Sequence, residues 1–122
     1  MTEPRYVLVV EDDPAFGSLL IEVLEAAGHR AELAANSADA LKSIELSTPD
    51  LLCLDLDLPD GTGWALLDEL ERRSVELPRV VVVSAGVGAS PSQRRPGTFL
   101  LPKPFPIDSL LRLVSGEELP EI

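Results

Sequence analysis

Leu51-Leu52-Cys53-Leu54-Asp55-Leu56-Asp57-Leu58-Pro59-Asp60-Gly61-Thr62-Gly63 is the stretch on which the fold turns. Four apolar residues in a row read as a strand buried on both faces. The run stops on a carboxylate, followed by a turn rich in Pro and Gly. Asp55 is therefore expected at the C-terminal edge of a sheet. In open α/β sheets that edge is a crevice, where loops diverge and helix N-termini point inward. Asp55 is the candidate reactive residue.

Toward the N-terminus, Tyr6-Val7-Leu8-Val9-Val10 repeats the design and ends on Glu11-Asp12-Asp13-Pro14. Adjacent acids repel one another, and helix capping is one plain account of them. Asp12 or Asp13 would cap the helix that Pro14 opens, whose dipole favours negative charge. Capping does not explain why a second strand of the same small chain also ends on an acid. Toward the C-terminus, Arg79-Val80-Val81-Val82-Val83 ends on Ser84-Ala85-Gly86, and Thr98-Phe99-Leu100-Leu101 ends on Pro102-Lys103-Pro104.

The segments between are helical. Phe16, Leu19, Leu20, Val23, Leu24 and Ala27 keep helical spacing over residues 15–27, and Gly28 closes that helix. Ser37 is expected to cap a helix through Ala38, Leu41, Ile44 and Leu46, which Pro49 terminates. Residues 64–73 place Trp64, Leu66, Leu67 and Leu70 on one face, with Trp64 read as packing. Residues 107–114 form a last helix, with Asp108 as its cap. Arg30 to Ala35 alternates weakly and reads as a short strand, and His29 beside it is expected in solvent. Strands and helices that alternate in this way imply a doubly wound parallel sheet with right-handed crossovers.

The chain has 122 residues and 45% hydrophobic content, which suits one domain with a single core. A formal charge of -11 and a pI near 4.3 argue against a non-specific grip on DNA, RNA or an anionic membrane. The single cysteine, Cys53, falls inside an apolar strand and reads as a small buried thiol, compatible with a reducing cytoplasm. Met1-Thr2-Glu3-Pro4-Arg5 lacks a signal-peptide pattern, and no apolar run approaches the ~20 residues of a membrane span. A cytoplasmic protein without nucleic-acid or membrane partners is expected.

Four strands thus end on Glu11/Asp12, Asp55, Ser84 and Lys103, and in a parallel sheet those ends share one edge. Clustered carboxylates make an oxygen-rich site for a hard divalent cation, and Mg²⁺ suits a site with few protein ligands. Lys103 adds a point positive charge and Ser84 a hydroxyl. The set fits phosphoryl transfer, with one carboxylate as nucleophile forming an aspartyl phosphate.

With those residues in place, the chain resembles the receiver domains of bacterial response regulators. The matching motifs are Val9-Val10-Glu11-Asp12, Asp55 followed by Pro59 and Gly63, Val83-Ser84-Ala85, and Lys103-Pro104-Phe105. The resemblance implies one receiver domain over 1–122, with an acidic tail from about 115 to 122. It also implies a five-stranded CheY-like, flavodoxin-like sheet of order 2-1-3-4-5. Asp55 would accept a phosphoryl group from a histidine kinase or histidine phosphotransfer protein and signal to a downstream protein target. Mg²⁺ would sit on Asp12 and Asp55, with Glu11 acting through water and Asp57 through its backbone carbonyl. Ser84 and Lys103 would each hold a phosphoryl oxygen, and the Lys103-Pro104 bond is expected to be cis.

Three departures from the family pattern stand out. Residues 86–97 leave little room for a regular fourth helix, which is expected to be shortened or missing, and that loop is itself a candidate responsive element. Leu100 occupies the family's aromatic switch position, with Phe99 displaced by one. Gly86 has no side chain to orient a hydrolytic water. Two other readings share part of the pattern. One is a pseudo-receiver that binds partners without phosphorylation. The other is a haloacid dehalogenase-type phosphatase, which needs an acid pair after the lysine; here only Asp108 follows closely.

Overall fold

The computed structural model describes residues 3–84 and 97–117. In chain order the elements are β1 (Tyr6–Val10), α1 (Pro14–Ala26), β2 (Arg30–Ala34), α2 (Ser37–Leu46), β3 (Leu51–Asp55), β4 (Asp57–Leu58), β5 (Gly61–Thr62), α3 (Gly63–Arg72), β6 (Val80–Ser84), β7 (Thr98–Pro102) and α4 (Ile107–Val114). Five strands form one parallel sheet in the order β2-β1-β3-β6-β7, the expected doubly wound arrangement. The turn after Asp55 adds a two-stranded antiparallel ribbon, β4-β5. Among the described residues there are four helices. Residues 85–96, which hold the region expected for a shortened helix and all but the last residue of the loop named as a responsive element, lie outside the described residues.

The apolar runs are continuous because both faces of the sheet are covered. Alternate residues serve opposite cores. Val7, Val9, Cys53, Val81, Val83, Phe99 and Leu101 pack with α1 and α4. Leu8, Val10, Leu52, Leu54, Val80 and Val82 pack with α2 and α3, and half-buried Trp64 and Leu100 join that side.

Several boundary expectations are corrected. Asp13, one of the two residues expected to cap α1, does so by accepting the N–H groups of Ala15 and Phe16. Asn36, not Ser37, caps α2, accepting Asp39 N–H at 2.8 Å. Asp108 sits in the first turn of α4 but does not cap it; the cap position is Pro106, without a side-chain bond. Leu46, expected on the buried face of α2, is exposed at the helix end. The start of the acidic tail is ordered: Ser115 is the C-cap of α4, and the Arg79 guanidinium donates to the carbonyls of Leu113 and Glu117.

His29 also departs from expectation. It is 7% exposed, and its Nδ1 accepts the Arg5 backbone N–H at 3.0 Å, which joins the end of α1 to the start of β1. Burial and then the Arg5 charge push its pKa below the usual value. The folded state thus holds His29 neutral to a lower pH than the unfolded chain, which takes up a proton near pH 6.5. Below that pH the unfolded state binds more protons, so this contribution is full above about 6.5 and is lost as pH falls. His29→Asn keeps an acceptor oxygen without the titration. Urea unfolding between pH 7 and 5 should show a shallower loss of stability for the variant than for wild type.

Candidate functional site

Strand register brings the site together. Val10 pairs with Leu54, Asp55 with Val83, and Ser84 with Pro102, so Glu11, Asp55, Ser84 and Lys103 reach the same sheet edge. Backbone bonds continue the ladders past the strands: Glu11 N–H donates to Ala34 O at 3.0 Å, Leu56 N–H to Val83 O at 3.1 Å, and Lys103 N–H to Ser84 O at 2.7 Å. Glu11, Asp55 and Ser84 are buried, at 4%, 5% and 5% exposure, and Asp12 is exposed.

The Lys103 ammonium donates to Glu11 Oε1 at 3.1 Å and to Asp55 Oδ2 at 3.3 Å. Asp55 Oδ1 accepts the Asp57 backbone N–H at 3.0 Å, and Glu11 Oε2 accepts the Asp13 N–H at 3.1 Å. Carboxylate oxygens of Glu11, Asp12 and Asp55 lie within 4.8 Å of one another. The Asp57 side chain is not part of that cluster; Asp57 contributes its backbone. Lys103 Nζ also lies 4.9 Å from the centre of the Phe16 ring, and Phe105 meets Phe16 edge-on at 6.1 Å. Asp13, Phe16, Lys103, Pro104 and Phe105 line a cleft of about 500 Å³ beside the acids. The Lys103-Pro104 bond is cis.

Electrostatics follow from burial. Desolvation raises the Glu11 pKa, and the bonds from Asp13 and Lys103 oppose it without cancelling it. Desolvation alone would lower the Lys103 pKa, but the bonds and charges of Glu11 and Asp55 outweigh it, so the value is raised and the ammonium stays charged. Cys53 lies beneath the acids, and burial followed by the negative charge of Glu11 pushes its thiol up to about 12. A thiol so raised is inert at neutral pH, as expected for a core residue. Oxygen-only donors this close together fit a hard cation such as Mg²⁺.

A match to the response regulator receiver domain model covers residues 7–115. The chain belongs to that family. It is 34% identical over 110 residues to the DNA-binding transcriptional regulator NtrC of Escherichia coli, which covers 88% of this chain and 24% of that protein. It is 38% identical over 88 residues to the Regulator of RpoS of the same organism, covering 70% and 26%. A solved CheY-like receiver domain from Methylobacillus flagellatus superposes with a TM-score of 0.79 at 29% identity, over 95% of this chain and all of that one. The chain spans about a quarter of the length of these first curated relatives. Receiver domains are phospho-accepting switches of two-component systems rather than classical enzymes, and they generally bind Mg²⁺. Asp108, the acid that a phosphatase reading would enlist, lines a separate hollow with His29 and Arg112. No helix among the described residues is long and apolar enough to cross a membrane.

Gly63, part of the motif that follows Asp55, is required there by close approach of the backbone. A Cβ there would lie 2.7 Å from the Asp55 carbonyl oxygen and 3.1 Å from Leu54 Cγ. Thr62 caps α3 through Ala65 N–H at 3.1 Å, which the sequence reading also missed. Gly63→Ala should destabilise the protein by about 1–3 kcal/mol in urea unfolding, because the obstacle is backbone. Gly17→Ala is the control: its added Cβ meets only the tip of the part-exposed Leu33 side chain, so the variant should stay near wild type.

Proposed function

We propose that Asp55 is the phosphoryl acceptor of this receiver domain, with a phosphohistidine of a kinase or phosphotransfer protein as donor. The observation that carries the reading is one buried carboxylate held between the Lys103 ammonium and the Asp57 N–H, with Glu11 and Asp12 beside it. A carboxylate oxygen of Asp55 would form the new O–P bond as the P–N bond of the donor breaks, the electron pair remaining on the imidazole. Lys103 is fixed in place to meet one phosphoryl oxygen, and Ser84 stands at the end of the adjacent strand to meet another.

Glu11, Asp12, Asp55 and the carbonyl of Asp57 would hold Mg²⁺. When bound, the ion supplies charge neutralisation for the acids and the incoming phosphoryl group. The protein's own contribution is positioning: paired strand ends hold acceptor and ammonium in contact before any donor arrives. The cleft walled by Phe16, Pro104 and Phe105 gives a donor protein an apolar approach to Lys103. The same reading takes residues 1–122 as a single cytoplasmic receiver domain that passes its state to a downstream protein, without a nucleic-acid or membrane surface of its own.

Incubation with phosphoramidate and Mg²⁺ should label the wild-type protein once, at Asp55. Asp55→Asn should abolish labelling, because an amide forms no acyl phosphate. Asp12→Ala should weaken Mg²⁺ binding, and Lys103→Ala should retain the metal but lose the response to phosphorylation. Label that persists in Asp55→Asn and maps to Asp57 or Asp60 would remove Asp55 as the acceptor.

A further inference from the structure

Asp60 lies at the tip of the β4-β5 ribbon, and its carboxylate bonds to a different element. Oδ1 accepts the Ser37 N–H at 2.9 Å and Oδ2 the Ala38 N–H at 3.1 Å. These are first-turn amides of α2, which have no acceptor within the helix. Asn36 already caps that helix through Asp39 N–H. The helix therefore carries two caps, one local and one delivered from a hairpin 22 to 23 positions away. Turn chemistry explains an aspartate in Pro59-Asp60-Gly61 but does not require this bidentate bond.

The other end of the hairpin touches the acceptor. Asp57 donates its N–H to Asp55 Oδ1 and pairs across the ribbon with Thr62. Only Leu58-Pro59 separates Asp57 from Asp60. A ribbon of two residue pairs is too small to hold its position unaided. Its neighbours fix it: Asp55 at one end, α3 beyond Thr62 and Gly63, and α2 through Asp60.

We infer that Asp60 is a positioning residue for the acceptor site. By clamping the hairpin to the first turn of α2, it holds the Asp57 backbone against Asp55 and couples occupancy at Asp55 to order in α2. Coupling of this kind is reciprocal, so release of α2 must be felt at Asp55 and the converse. The inference rests on Asp55 as the acceptor.

Asp60→Ala and Asp60→Asn in the full chain test it, with amide hydrogen exchange by NMR, calorimetric titration with Mg²⁺ alone, and phosphoramidate labelling. Asp60→Ala should speed exchange at Ser37, at Ala38 and, without any ligand, at Asp57. It should also weaken Mg²⁺ binding by about fivefold, the lower range of such couplings. Asp60→Asn keeps one acceptor oxygen and should fall between; it supplies the same comparison if the alanine variant does not fold. Faster exchange confined to Ser37 and Ala38, with Asp57 and Mg²⁺ affinity as in wild type, would reduce Asp60 to a helix cap and overturn the inference. If wild-type protein fails to label, the acceptor assignment falls instead, and exchange at Asp57 still decides whether the clamp exists.

Discussion

Lys103 holds two buried carboxylates at once, 3.1 Å from Glu11 and 3.3 Å from Asp55, and the architecture of the sheet follows from the need to keep it there. Charges taken out of water are costly unless their geometry is good and further hydrogen bonds satisfy them. Here each acid also receives a backbone N–H, from Asp13 or Asp57. The three groups come from the ends of β1, β3 and β7, far apart in sequence, so only a fixed register can hold them. That register is enforced from below by fully buried side chains on both faces, such as Leu8, Val9, Leu54 and Val81. Each contributes roughly 1.5–3 kcal/mol of apolar burial. A one-residue slip of any strand would turn these side chains to the wrong core, and the site would come apart with them.

The site is not balanced. Three carboxylates gather within 4.8 Å of one another and one ammonium meets two of them, and burial leaves Glu11 with a raised pKa even after its bonds to Lys103 and Asp13 are counted. A cluster with surplus negative charge is one that a cation or a phosphate-bridging ion can relieve. This is the usual relation between function and stability, in which local strain at a site is offset by the scaffold around it. The raised pKa of Lys103 is the other side of the same coupling: the acids that repel one another keep the ammonium charged.

Much of this was legible in the chain. Continuous runs such as Val80 to Val83 and helical spacing such as Leu66, Leu67 and Leu70 are local signals, and they placed the main elements within a residue or two. Strand ends carrying Glu11, Asp55, Ser84 and Lys103 were readable because a parallel sheet puts all its C-termini on one edge. What failed depended on partners distant in sequence. His29 looks like a boundary residue until Arg5 is seen to donate to it, and Asp60 looks like a turn residue until it reaches Ser37 and Ala38. The choice of Asn36 over Ser37 is a different failure: both residues cap well, and adjacent candidates cannot be separated by propensity.

Strand parity on β7 bears on how such a site passes on its state. Phe99 faces the core shared with α1 and α4, where the Arg79 guanidinium covers its ring at 4.8 Å. Leu100 faces the opposite core, half-buried beside α3. Adjacent strand residues cannot exchange faces, so the ring of Phe99 is not available on the side that Leu100 faces. A two-state signal needs an element that differs in contacts between the states. Leu100 offers neither a ring to rotate nor a hydroxyl to re-pair. The β4-β5 ribbon does touch Asp55 directly, and it ends on the first turns of α2 and α3. On that face of β7 there is no aromatic among the described residues, and the ribbon, like Lys103, is in direct hydrogen-bond contact with Asp55, which links the site to the first turns of α2 and α3.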